Sequence, residues 1–182
     1  MLIKFKNHSP KLGQNVFVAE GAKIIGEIEI GDESSIWFNC VLRADVNFIK
    51  IGKRTNIQDL STVHVWHREF DEKGKLKDAG FPTIIGDDVT IGHNCVIHAC
   101  VIKNRVLIGM NAVIMDNALI EEDSIVGAGS VVTKGKKFLP RSLILGNPAK
   151  FVRELNDEEV SFLKQSALNY VDFKNEFLKD LQ

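Results

Sequence analysis

Aliphatic residues recur every six positions along most of this chain. Ile24, Ile30, Ile36 and Leu42 continue a series begun at Val18; the step restarts at Ile51, Ile57 and Val63, and again at Ile85, Ile91 and Ile97. It then runs through Ile102, Ile108, Ile114, Ile120, Val126 and Val132. Such a period is neither that of an amphipathic helix nor that of an alternating strand. It suits a coil of short straight faces, each giving one inward aliphatic residue and one tight corner. Gly often follows the aliphatic residue (Gly31, Gly52, Gly86, Gly92, Gly109, Gly127), and small residues stand four after it (Ala22, Ser34, Cys40, Thr55, Ser61, Cys95). We assign both sets to the corner dihedrals and the narrow interior. Three hexads close a triangular turn, so the pattern predicts an all-β solenoid of five to six turns over residues 1–150. An ordinary sandwich would need hairpin turns, and the chain has no Asn-Gly or Asp-Gly dipeptide.

Three interruptions break the register. Leu42 to Ile51 carries three extra residues, Val63 to Ile85 carries sixteen, and Ile97 to Ile102 is one short. The second predicts a charged loop over about 66–82, and loops of that length are commonly functional. After residue 150 Ile disappears and Phe and Leu mix with Asp, Glu and Lys. A C-terminal helix over 151–182 follows, capped by Asn156 with Glu159. Its face of Val160, Leu163, Ala167, Tyr170, Val171, Phe177, Leu178 and Leu181 should pack on the solenoid or on a neighbouring subunit.

The register gathers the histidines. With the loop excised, Val63 and Ile97 are three hexads apart, so His64 and His98 share one edge, about 4.8 Å apart by strand spacing. Arg43 falls on that edge one turn earlier. His93, two after Ile91, shares a second edge with Asp59, two after Ile57, and Gln58 lies beside it. One prism cannot readily bring His93 to the other pair, but edges of neighbouring copies around a threefold axis can meet. Two histidines from one subunit and one from the next then make a three-nitrogen site suited to zinc (Zn2+), or Fe2+ or Co2+. The register therefore predicts a metal and a homotrimer.

Bulk properties narrow the picture further. A net charge of -1 on 182 residues gives no support for nucleic acid as a partner. No apolar run is long enough to cross a membrane, and the opening Met1–Lys6 does not read as a secretory signal. Cys40, Cys95 and Cys100 are odd in number and embedded in apolar runs. They point to reduced thiols and a cytoplasmic location.

Arg43-Ala44-Asp45, Asn56-Ile57-Gln58-Asp59, His64, Gly92-His93 and His98 together resemble the γ-class carbonic anhydrase family. The resemblance covers almost the whole chain, including Gly146-Asn147-Pro148-Ala149-Lys150. It implies a left-handed parallel β-helix, a homotrimer, and a metal held at the subunit interface by His64, His93 and His98. It implies that Gln58 hydrogen-bonds the attacking hydroxide or CO2, that Asn56 lies near the substrate, and that Arg43, Asp45 and Asp59 form a polar network at the interface. The implied reaction is reversible hydration of CO2 to bicarbonate. Archaeal-type members carry a glutamate after Arg-x-Asp and another in an acidic loop; here Val46 follows Asp45, and His67 stands three residues after His64. His67 or Glu69 is then the candidate proton relay, since imidazole titrates near neutral pH. Tyr170 reads as core packing of the terminal helix. Two other functions fit the repeats: an acyl-CoA-dependent hexapeptide acyltransferase, and a metal-binding relative serving as scaffold or thioesterase.

Overall fold

Most six-residue steps turn on one left-handed residue placed three after the inward aliphatic side chain. Glu33, Asn39, Arg54, Leu60, Asp88, Asn94, Arg105, Asn111, Asn117, Asp123 and Arg141 all have φ between 50° and 63°. Gly21, Gly129 and Gly135 take the same place. Asn and Asp tolerate this region best after Gly. The glycines that follow the aliphatic residues have another task. A Cβ on Gly31 would stand 2.7 Å from the carbonyl carbon of Gly52, and one on Gly92 would stand 2.7 Å from Met110 N. These positions are small because consecutive turns touch there, and not because the corner dihedral requires it. The small residues four along do line the interior. Ser34, Thr55 and Ser61 are buried, and each also joins two turns: Thr55 Oγ1 donates to Gly86 O (2.8 Å) and accepts from Val89 N (3.1 Å).

The resulting computed structural model, which describes residues 1–180, is a three-faced parallel β-solenoid closed by one helix. One face stacks the strands Phe17–Val18, Ser35–Ile36, Asn56–Ile57, Thr90–Ile91, Leu107–Ile108, Ile125–Val126 and Ser142–Gly146 in parallel. These rungs show a longer coil than the five to six turns expected. The extra length comes from ends where the aliphatic pattern fades, as at Leu2–Ile3, Lys11–Leu12 and Lys137–Phe138. Ile24, Leu42, Ile57, Ile91, Ile97, Ile108, Ile114 and Val126 are completely buried in a single core. An antiparallel strand, Ala149–Glu154, folds back on Ser142–Gly146, so residues 151–154 belong to that returning strand and the helix spans Asp157–Asp180.

Two of the interruptions support one another. The three extra residues bulge out of Val41–Ile51 opposite Gly26 and carry Asn47, which is 2% exposed. Its amide nitrogen donates to Trp66 O (3.0 Å) and Ala79 O (2.8 Å), one at each end of the sixteen-residue excursion. Within the excursion lies a hairpin, Glu69–Phe70 with Leu76–Asp78, where a plain loop was expected. Asp71 Oδ1 builds its turn by accepting from Lys73 N and Lys75 N, and Gly74 supplies a φ of 75°.

The helix lies on the chain's own solenoid. Asn156 Oδ1 accepts from Glu159 N (2.8 Å) while Glu159 accepts from Asn156 N (2.9 Å), the reciprocal cap read from the sequence. Arg153 and that cap hold the Glu159 carboxyl down to about 2. Leu163 and Ala167 are buried, and Tyr170 and Phe177 meet Trp37 edge-on at 5.6 and 5.3 Å. Leu181 lies outside the described residues. Lys174, unexpected on an apolar face, is fully buried and pairs with Glu33 at 2.7 Å.

Removing Asn47 leaves two carbonyls without their donors. Asn47→Ala should lower stability by about 1–3 kcal/mol and speed proteolytic cleavage within 69–78. Unchanged melting and unchanged cleavage would refute the clamp.

Candidate metal centre

His64 and His98 are directly paired across neighbouring rungs, as are Val63 and Ile97 beneath them. Their rings face each other with His64 Nδ1 3.1 Å from His98 Nε2. The outer nitrogen of each ring meets a carboxylate: His64 Nε2 lies 3.0 Å from Asp45 Oδ1, and His98 Nδ1 lies 2.6 Å from Asp116 Oδ1. Arg43 completes the edge by donating to Asp45.

This arrangement fixes the tautomers. A carboxylate can only accept, so each outer nitrogen carries a proton, and when both rings are neutral the inner nitrogens present lone pairs to one another. Bare lone pairs at 3.1 Å repel, and a cation between them removes the conflict. Two nitrogens bound at 2.0–2.1 Å to a tetrahedral zinc stand roughly 3.3 Å apart, close to the separation observed. Burial pushes the His64 imidazole down, aided by the charge of Arg43, despite the hydrogen bond to Asp45. The ring is therefore neutral at pH 7, as a ligand must be. Burial pushes the Asp45 carboxyl up, but His64 and Arg43 outweigh it and hold it below the usual carboxylate range.

His93 stands at a different corner, as its position two after Ile91 requires. Its Nδ1 lies 2.7 Å from Asp59 Oδ2, and Asp59 Oδ1 accepts from Phe38 N (3.1 Å). This third imidazole also has a carboxylate on one nitrogen and its Nε2 free. It opens onto a cavity of about 470 Å3 lined by Gln58, Thr90, Met110, Ser166 and Tyr170. Gln58 Nε2 donates to Asn56 Oδ1 (3.2 Å), so the two amides expected near the substrate are linked. Among the described residues of one chain, no cluster of three or more metal-ligating side chains forms. The donors are instead divided between two corners.

His67 sits at the base of the hairpin, its Nε2 3.5 Å from Glu69 Oε1 and its ring 5.1 Å from that of Trp66. With Asp45, Arg68 and Phe70 it lines a second cavity of about 310 Å3. Tyr170 packs against Trp37 as expected, and it also borders the His93 cavity. Asp116 joins the site from outside the two predicted columns. It stands two after Ile114, the residue stacked on Ile97, as Asp59 stands two after Ile57, which is stacked on Ile91.

Residues 99–134 match the family described as bacterial transferase hexapeptide (six repeats). The chain is 43% identical over 171 residues to gamma carbonic anhydrase 2, mitochondrial, of Arabidopsis thaliana, covering 94% of this chain and 59% of that protein. It is 48% identical to the probable carbonic anhydrase of Methanocaldococcus jannaschii, over 88% of this chain and 93% of that one. The chain belongs to the γ-class carbonic anhydrase family. It spans about three fifths of the length of the Arabidopsis relatives it matches. A crystal structure of a putative acetyltransferase from Bacillus cereus superposes with a TM-score of 0.89 at 40% identity, covering 100% of this chain and 98% of that one. The γ-class chain shares with such neighbours a left-handed β-helix of hexapeptide repeats.

Family membership implies a metal, and the donor set fits one: three imidazoles, each with one nitrogen held by a carboxylate, an arrangement that orients metal ligands and raises their basicity. Asp116→Ala should weaken metal binding about 10–100-fold in chelator competition, with the fold intact. Unchanged affinity would remove Asp116 from the site.

Proposed function

We propose that this chain is a metal-dependent carbonic anhydrase that interconverts CO2 and bicarbonate, with His64 and His98 of one subunit and His93 of the next holding the ion in a homotrimer. The observation that carries this reading is the 3.1 Å approach of His64 Nδ1 to His98 Nε2, each ring fixed from behind by Asp45 or Asp116. When bound, the ion supplies a hydroxide nucleophile at neutral pH by acidifying water. Zinc, Fe2+ and Co2+ all accept such a ligand set.

The remaining work falls to side chains. The His93 cavity is largely apolar, which suits CO2, and Gln58 offers an amide to the reacting oxygens while Asn56 fixes its orientation. Arg43, Asp45 and Asp59 hold the imidazoles. His67 lines the cavity that Asp45 also borders, where it is placed to pass a proton on to solvent.

The trimer is supported by the surface beside the histidines. Val96 (41% exposed), Met110 (51%) and Met115 (37%) stand close to the two histidine corners. A second copy covering this surface would place its own histidine edge against His93.

Among the described residues, no helix is long and apolar enough to cross a membrane. Burial pushes Cys40 and Cys95 up to about 11. Buried, protonated thiols fit the proposed cytoplasmic setting. The B. cereus neighbour titled a putative acetyltransferase favours acyl transfer as a second reading. That reaction leaves the His64–His98 pair and both supporting carboxylates without a task.

Purified protein should elute as a trimer with about one ion per chain and hydrate CO2 in stopped-flow assays. His93→Ala should lose the ion. A monomer, or metal-free protein that transfers acetyl from acetyl-CoA, would sink the proposal.

Replacing His67 tests the relay separately. His67→Ala should slow CO2 hydration roughly tenfold or more in dilute buffer, and concentrated imidazole should restore it. Equal rates in dilute buffer would exclude His67.

A further inference from the structure

A buried hydrogen-bonded chain runs from the terminal helix to Gln58. Ser166, on the helix, lies 3.2 Å from Thr90 Oγ1; Asn56 Nδ2 donates to Thr90 Oγ1 (3.0 Å); Gln58 Nε2 donates to Asn56 Oδ1 (3.2 Å). All four residues are buried, at 9%, 5%, 1% and 5% exposure in that order. Asn56, the most deeply buried of the four, depends on Thr90 and Gln58 for its side-chain partners, while the other three border the His93 cavity.

The polarity of the chain follows from one backbone group. Asn56 Nδ2 also faces the carbonyl of Val89 (3.4 Å), which can only accept. The NH2 of Asn56 must therefore point at Val89 and Thr90, and its oxygen must point at Gln58. That oxygen can only accept, so Gln58 has to present its own NH2 to Asn56. The consequence reaches the cavity: Gln58 Oε1 is turned away from Asn56, free to accept from whatever occupies the space beside His93. A flipped Gln58 would set two oxygens against each other in a buried site, a strongly unfavourable contact.

We propose that Ser166 and Thr90 are positioning residues for Gln58, so that docking of the terminal helix is a condition for presenting the Gln58 oxygen to the reacting centre. Thr90 ties the Asn56 amide to the solenoid wall, and Ser166 holds Thr90 from the helix. Leu163 and Ala167 pack on either side of Ser166 along the helix, and Lys174 locks its distal part to Glu33. Loss of the helix contact frees the Thr90 hydroxyl to rotate and leaves the Asn56 amide held only by the longer contact to Val89 O (3.4 Å), which loosens its grip on Gln58. The part played by Gln58 in catalysis rests on the carbonic anhydrase reading; the tether itself does not.

The test uses the full-length protein loaded with Zn2+ and two readouts. The first is the NMR signal of the Gln58 side-chain amide, identified by its loss in Gln58→Ala. In the wild type its protons should exchange slowly with water. Thr90→Val and Ser166→Ala should accelerate that exchange about tenfold, the equivalent of one lost hydrogen bond, while Thr90→Ser leaves it unchanged. An amide insensitive to both variants overturns the proposal, as does one equally disturbed by Thr90→Ser. Ser166→Ala, on the edge of the helix contact, keeps the test decisive if Thr90→Val fails to fold. The second readout is CO2 hydration: kcat should fall about fivefold in Ser166→Ala, within the range of one hydrogen bond, at unchanged KM and metal content. The fall should vanish in a Gln58→Ala background, and an independent, multiplicative effect there overturns the link to Gln58. If wild-type protein hydrates no CO2, the functional reading falls and the amide signal alone decides the tether.

Discussion

Stacking without slippage is the constraint on which the molecule depends. Each turn must sit on the last with inward aliphatics aligned, because Val63 under Ile97 is what sets His64 beside His98. A one-residue slip would exchange inward for outward positions along the rung. Three devices hold the register. Left-handed residues, many of them Asn, Asp or Gly, turn each corner. Glycines such as Gly31 and Gly92 allow turns to touch. Buried hydroxyls such as Thr55 bridge one turn to the next. Along one corner the charges also alternate: Arg54 grips Asp88 and Arg105 grips Asp123, at 2.6 Å each. A site assembled from residues 34 apart in sequence can be this exact only on a scaffold this regular.

Irregularity is then confined to where chemistry needs it. The bulge at 45–48 and the excursion at 66–82 are one device, since Asn47 from the first closes the base of the second. Asp45, in the same bulge, steps off the straight rung far enough to reach His64. The short step after Ile97 puts Ala99 in the left-handed region two residues on rather than three. It ends the strand at His98, whose ring then reaches Asp116 in the following turn. Each departure from period six thus lies beside one of the paired histidines.

The inward pattern was legible because burial imposes a strict period on aliphatic residues. From that alone came the solenoid, the His64–His98 column and the separate corner of His93. What escaped was polar and geometric. The corner residue is defined by its dihedral, and Arg, Leu or Asp there look like ordinary surface choices. Asp116 and Asn47 are single polar residues whose partners depend on how far a bulge projects, which no period encodes. Lys174 was hidden by its own chemistry, since a lysine reads as solvent-facing until Glu33 from the opposite end of the chain is placed against it.

Dividing the donors between two corners has a physical consequence for the assembly. Within one chain His64 and His98 face each other with opposed lone pairs, while His93 holds Asp59 and looks into an apolar space. Neither half is a strong metal site alone. In the proposed trimer, the three imidazoles joined across a threefold axis would satisfy one ion, and the ion would in turn relieve the repulsion within the pair. Metal binding and association then stabilise each other by mass action. The same logic extends to the helix: by anchoring the Gln58 amide from outside the solenoid, it makes the half-site at His93 depend on the chain's last element as well as on its neighbour. In that proposal, folding of the terminus, assembly and metal capture are joint requirements for one centre, so a partly assembled chain would hold the ion weakly.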